Sequence, residues 1–443
     1  MSKRLVVTIF VVIIIVIGAV WISVRPKSVP TDTKTEGGIK NTSGLSSLFP
    51  FSNKTAPTLE QQNNATSQTV ALPPAEKAPA RITSGPLVQV TNRLVAGLTT
   101  RESRLVASGV TSRSVKDFGA PVLATSNFPT VRFVERGTGY VYDIDANGKN
   151  ENKISGTAII RASQALFADS GNTVLIRYIK NDNSSTATFL GRITTIGGGT
   201  AGTLSGDFLP DNLYDVSVSP DGKNITYLLP IDSGTAGITM KTDLTAKKQI
   251  FISPFTEWLL DVTKSGTFVT TKSAGDHKGY AYKITPSGNL QKIIGGINGL
   301  TTKVSPNGTH ALYSIGEGTT LRLHILRLSD NSDTDTGLQT LPEKCVWGKD
   351  SITAYCGAPD ELPSGKYPDD WYQGVFHFND SIWKLNIKEG TTIQINSGGD
   401  NNLDMTYLNL DPSEKYLIFI NKNDGSLWSL DIPLSIQRNE SVN

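Results

Sequence analysis

Seven residues in one short stretch set carboxylates beside aromatic rings: Asp360, Glu361, Tyr367, Asp369, Asp370, Trp371 and Tyr372. Loop aromatics next to negative charge suit contact with a protein, peptide or glycan partner. Trp371 and Tyr372 could equally fold down and cover the core beneath them, and the sequence leaves both readings open. Cys345 and Cys356 flank the turn Gly348–Ser351. With the hairpin axis between Asp350 and Ser351 they oppose each other, and opposed cross-strand Cβ atoms lie about 4.5–5.5 Å apart. A disulfide in an oxidising compartment is expected, with two buried free thiols as the alternative.

Other chemistry is sparse. The four histidines, His277, His310, His324 and His377, are scattered, and no H-E-x-x-H or His/Cys cluster suggests zinc. No G-x-S-x-G elbow is present. Gly197, Gly199 and Gly202 satisfy G-x-G-x-x-G as a string, but Thr203–Asp207 does not open a helix, so no phosphate site is implied. Asp143, Asp145, Asn147 and Gly148 resemble the start of a calcium loop. Its twelfth position is Ile154, where a bidentate Glu is needed, and Asn147–Gly148 is also a strong hairpin turn. No cofactor is expected beyond that weak calcium possibility. The net charge of +2, without a basic block, gives no reason to expect nucleic acid.

Three stretches of different chemistry must position these residues. Leu5–Val24 is twenty uncharged, mostly apolar residues, about 30 Å as a helix and long enough to span a bilayer. Residues 1–24 are read as an uncleaved transmembrane signal anchor, a cleaved signal being the alternative. Lys3 and Arg4 precede the span, whereas Arg25, Lys27, Lys34 and Lys40 follow it, so charge count alone favours a cytoplasmic C-terminal part. The polar segment and the paired cysteines instead favour a single-pass protein of the cell membrane with its C-terminal domain outside. Residues 25–84, rich in Pro, Ser, Thr and Asn, are expected to be a disordered linker. Residues 85–443 carry β-branched runs between Gly, Asn and Asp turns, the pattern of an all-β domain.

Those turns repeat. Ser219–Pro220–Asp221–Gly222–Lys223, Ser305–Pro306–Asn307–Gly308–Thr309 and Asp411–Pro412–Ser413–Glu414–Lys415 each precede a β-branched or aromatic run. Weaker copies start at Ala168, Thr263 and Trp347. The Pro220 position recurs at Asp169, Lys264, Pro306, Lys349 and Pro412, with spacings of 51, 44, 42, 43 and 63 residues. A further unit starts near Pro129. Four strands per roughly 43 residues is the size of a propeller blade. The expected fold is therefore a seven-bladed β-propeller, with six or eight blades as alternatives. The last blade shows only three strands, so Pro86–Thr91 is expected to pair onto it and close the ring. The insertion Gly357–Phe378 explains the long spacing and should join the second and third strands of blade 6, on the face where propellers usually bind ligands.

The S-P-D-G-K-x-I-x-Y element resembles the repeat of TolB-like β-propellers over about residues 125–432. The whole arrangement resembles membrane-anchored propellers of unassigned function. The resemblance implies fold and little about activity. The leading functional expectation is a binding or scaffolding module outside the membrane. The alternative is an envelope polysaccharide hydrolase or lyase working with channel carboxylates such as Asp215, Asp261 and Asp404.

Overall fold

The computed structural model describes residues 87–102, 127–194 and 202–433, with the backbone of Thr83–Ser84, Leu105–Ala107 and Leu123–Thr125. The expected membrane span and all of the linker except Thr83–Ser84 lie outside the described residues, as does the 197–202 glycine string apart from Gly202. Among the described residues no helix is long and apolar enough to cross a membrane.

Seven antiparallel sheets form the blades of a β-propeller. Blade 1 begins with Val95–Arg101, blade 2 with Ala162–Ala168, blade 3 with Asp215–Val218 and blade 4 with Trp258–Thr263. Blades 5, 6 and 7 begin with Thr302–Val304, Cys345–Trp347 and Met405–Leu410. Blades 2 to 6 each run through four consecutive strands. In blade 1 the second strand is Thr130–Glu135, so the unit expected near Pro129 starts earlier, at Val95. The connection between these two strands carries a short ladder of Leu105–Ala107 against Leu123–Thr125.

The ring closes as expected. Leu87–Thr91 pairs antiparallel with Leu427–Asp431 as the fourth strand of blade 7, with Leu87 opposite Leu430 and Val88 opposite Ser429. Thr83–Ser84, assigned above to the linker, folds back onto Val88 and Leu87. This register places Leu87 at the lower rim, the end bearing the turns between first and second strands. The 357–378 insertion lies on the opposite, upper face, between Thr353–Pro359 and Asp380–Asn386.

A four-stranded sheet with apolar side chains on both faces is stable only when both faces are covered. Each of the seven blade junctions accordingly holds its own hydrophobic cluster. Val90, Val131 and Phe133 meet Ile418 and Leu427 where blades 7 and 1 join. Phe268 and Ile294 meet Val304 and Tyr313 between blades 4 and 5.

The repeated turn has a local cause. Gly222 N–H donates to the Ser219 carbonyl at 2.8 Å with Gly222 at φ +69°, a value that suits glycine. Asn224 N–H donates to Ser219 Oγ at 2.9 Å. His310 N–H does the same to Ser305 Oγ at 3.0 Å, and Tyr416 N–H to Asp411 Oδ1 at 2.7 Å. The residue before proline must therefore carry a short side-chain acceptor. Neighbouring turns also touch: Asn307 N–H donates to Ser351 Oγ at 3.1 Å, and Lys349 N–H to Glu414 Oε1 at 2.7 Å.

Cys345 and Cys356 are opposed in the ladder of blade 6 and form a disulfide with a Cα separation of 4.1 Å. The pair is buried in the cluster between blades 5 and 6.

Candidate functional site

The insertion is a fixed structure that rests on three blades. Its single helical turn, Asp369–Tyr372, follows Tyr367, whose side chain is buried with Trp371, Phe378, Leu321 and Leu341. The Tyr367 carbonyl settles among glycines. A Cβ on Gly299 or on Gly316 would come within 2.6 Å of that oxygen, and one on Gly275 within 2.8 Å. Only residues without a side chain allow so close an approach. Gly275 belongs to the loop after the second strand of blade 4, and its N–H donates to Asp369 Oδ2 at 2.7 Å.

Beneath the insertion lies a charged cluster that the sequence did not reveal. Lys344 Nζ sits 2.7 Å from Asp380 Oδ2 and 2.5 Å from Asp404 Oδ1, and all three side chains are fully buried. Asp404 also accepts the Trp371 indole N–H at 2.9 Å and the Phe378 N–H at 3.3 Å. Asp380 Oδ2 accepts Met405 N–H at 2.7 Å, while its Oδ1 has no partner among the described residues. Two carboxylates share one ammonium. Burial, countered by Lys344 and reinforced by Asp404, pushes the Asp380 acid up to about 7. Burial alone would lower the Lys344 ammonium, but the two carboxylates outweigh it and raise it. Lys422 Nζ lies 4.3 Å over the Trp371 ring and donates to the Trp371 carbonyl. His377 is half exposed, with Nδ1 3.9 Å from Asp404 Oδ2.

The seven residues singled out above divide into two groups. Tyr367 and Trp371 are buried and Tyr372 is half-buried, its hydroxyl donating to Glu343, so these rings cover the blade rather than project from it. Burial and the Glu343 charge hold the Tyr372 phenol well above its ordinary range. Asp369 and Asp370 are half-buried and accept backbone N–H groups, from Gly275 and from Lys366. Asp360 and Glu361 are exposed, and Val375 on the same insertion is 67% exposed.

The channel carboxylates hold blades together. Asp215 Oδ2 accepts Leu260 N–H of blade 4 at 2.9 Å, and Asp261 Oδ2 accepts Val304 N–H of blade 5 at 2.8 Å. Lys303 Nζ donates to the Cys345 carbonyl at 2.6 Å, and Thr100 Oγ1 to the Leu410 carbonyl at 2.9 Å. An innermost strand has one edge without a neighbouring strand, and these side chains satisfy its free backbone groups. Burial raises both the Asp215 and Asp261 acids despite those bonds.

In the calcium-like stretch, Asp143 is committed to a buried bidentate pair with Arg132, at 2.6 and 2.8 Å. Asp145 and Gly148 close a hairpin turn through Gly148 N–H to the Asp145 carbonyl at 2.7 Å. Among the described residues no three His, Cys, Asp or Glu side chains come together as metal ligands. Two clefts of about 420 and 520 Å³ lie on the lower face beside Glu102 and Pro412.

No protein-family model and no curated protein sequence matches this chain. Similar solved structures include an oligogalacturonate lyase from Vibrio parahaemolyticus, 8% identical with a TM-score of 0.49, covering 79% of this chain and 94% of that one. TolB from Acinetobacter baumannii is also among them, 11% identical with a TM-score of 0.37, covering 60% and 58%. A third is the β-propeller domain of the Trilobed protease from Pyrococcus furiosus, 9% identical with a TM-score of 0.45, covering 69% and 92%. At such identities the likeness concerns the fold alone.

Proposed function

We propose that the chain is a membrane-anchored, extracytoplasmic propeller that binds a protein, peptide or glycan partner on its upper face. The observation that carries this reading is the 357–378 insertion. It is clamped to three blades, yet it turns Asp360, Glu361 and Val375 to solvent. A rigid platform with an apolar tip and exposed carboxylates loses little conformational freedom on binding and favours a partner with positive charge near an apolar group. Ile160 and Phe255, in loops between successive blades, are further exposed apolar side chains on the same face. Residues 1–24 supply the anchor in this reading, and the paired cysteines fit an oxidising compartment. Binding is preferred to polysaccharide cleavage because Asp215, Asp261 and Asp404 already accept structural hydrogen bonds.

The test is crosslinking in intact membranes, comparing wild type with the double variant Glu361→Lys, Val375→Glu. The expected outcome is one crosslinked partner lost in the variant while the melting temperature is kept. Identical crosslink patterns would remove the upper face as the docking surface. Protease accessibility from the outer side of sealed membranes checks the orientation.

A further inference from the structure

The buried charges beneath the insertion do not balance. Lys344 supplies one positive charge, Asp380 and Asp404 supply two negative charges when both are ionised, and all three side chains are fully buried. A net charge shielded from water is unfavourable, and a proton on one carboxylate removes it. The hydrogen bonds say which carboxylate. Both Asp404 oxygens face donors: Oδ1 faces Lys344 Nζ at 2.5 Å, and Oδ2 faces the Trp371 indole N–H at 2.9 Å and the Phe378 N–H at 3.3 Å. Asp380 uses only Oδ2, for Lys344 Nζ and the Met405 N–H, both at 2.7 Å. Its Oδ1 is enclosed with no partner among the described residues. The proton therefore belongs on Asp380, in keeping with the burial that pushes this acid up to about 7.

The neighbouring charged groups do not correct the imbalance. Glu343, next to Lys344, adds negative charge and is engaged by Thr301 Oγ1 at 2.9 Å and by the Tyr372 hydroxyl. Lys422 of blade 7 donates to the Trp371 carbonyl rather than to a carboxylate. His377 of the insertion is half exposed, with Nδ1 3.9 Å from Asp404 Oδ2. Asp360 is exposed and accepts Ser381 Oγ at 3.0 Å. The insertion is also a weakly tied wall of this cluster. The ladder at its base ends with Pro359 opposite Asp380, and residues 360–379 belong to no strand. They are held over the cluster by Trp371 and Phe378 on Asp404, by Lys422 on the Trp371 carbonyl and by the Gly275 N–H on Asp369.

We propose that the insertion is a proton-controlled lid: it is sealed while Asp380 carries a proton, and loss of that proton releases the Trp371–Phe378 segment and admits water to the cluster. Trp371 and Phe378 are the contacts that give way, because they bond the carboxylate that shares Lys344 with Asp380. The sealed form binds the proton more tightly than a hydrated one, so opening releases it. Opening therefore increases with pH by at most about tenfold per unit, from the ordinary carboxylate range up to about 7, and is level above that. As a control on docking, the lid rests on the reading of the insertion as the docking platform; the opening itself does not.

Amide hydrogen exchange of the full-length chain in detergent tests it, read on peptides within residues 360–378 from pH 5 to pH 8 and corrected for intrinsic rates. The opening constant is expected to rise roughly ten- to a hundredfold from pH 5 to pH 7 and to change little above pH 7.5. Dilute urea should barely alter it, because a local opening exposes little surface. Asp380→Asn should abolish the rise, and His377→Gln should keep it. Asp404→Asn leaves one carboxylate to one ammonium and should also be level; it is the second variant if Asp380→Asn does not fold. No partner takes part, so a failed crosslink in the test of docking leaves this result standing. A level wild-type profile, an equal rise in Asp380→Asn, a rise lost in His377→Gln, or exchange as urea-sensitive as that of the blade 3 strand Asn224–Ile231 overturns the proposal.

Discussion

Replacing Asp380 by asparagine removes one of the two buried carboxylates that share the Lys344 ammonium. The Asp380 acid titrates at about 7 in the folded chain, against 3.8 ordinarily. Between those values the folded chain holds a proton that the unfolded chain has released. Stability therefore falls as pH rises through this window, and the loss is complete just above pH 7. Each unit corresponds to about 1.4 kcal/mol, so from pH 5 to pH 7 the group withdraws about 2–3 kcal/mol. Asparagine has no such proton, and its Oδ1 can still accept the Met405 N–H. Urea unfolding of both proteins at pH 5, 6, 7 and 8 isolates the group together with its coupling to Lys344 and Asp404, because the titrations outside this cluster are common to the two. The expected outcome is that Asp380→Asn gains about 2–3 kcal/mol on wild type between pH 5 and 7 and keeps a constant difference above about pH 7.5. Parallel curves would refute the reasoning. They would mean that Lys344, with its raised ammonium, holds Asp380 ionised throughout.

Deleting residues 85–95 removes the strand opposite Leu427–Leu430 and should lower the melting temperature sharply, as followed by circular dichroism; an unchanged midpoint would contradict the closure. Gly316→Ala places a methyl group within 2.6 Å of the Tyr367 carbonyl. Overpacking of this kind costs about 1–3 kcal/mol, and faster tryptic cleavage at the exposed Lys366 is the readout.

The parts of this fold that were legible in the sequence are those with local causes. The Ser-Pro-Asp-Gly turns were readable because the Ser219 and Ser305 hydroxyls cap the backbone within five residues. The disulfide followed from the symmetry of one short hairpin. The closing strand came from counting strands in the last blade. Blade 1 was misplaced because its first two strands, Val95–Arg101 and Thr130–Glu135, are separated by a long connection that hides the repeat. The Lys344 cluster was not legible, since its carboxylates come from 36 and 60 residues further along the chain. Gly275, Gly299 and Gly316 looked like ordinary turn residues, and only the position of Tyr367 explains their type. An acid on the inner strands was the one visible trace of the belt joining the blades. Asp215 and Asp261 were noted as candidate catalytic carboxylates, whereas each accepts a backbone N–H about one repeat away.

The pairing of Leu87–Thr91 with Leu427–Asp431 also sets an order of events. Leu87–Thr91 has no blade to join until the last blade has been synthesised, more than three hundred residues later. Until then the growing chain is an open arc with two unprotected flanks. Such long-range joining is slow and exposes edges to other chains. Once joined, the arc has no loose end, and unravelling from either terminus must first break the same ladder.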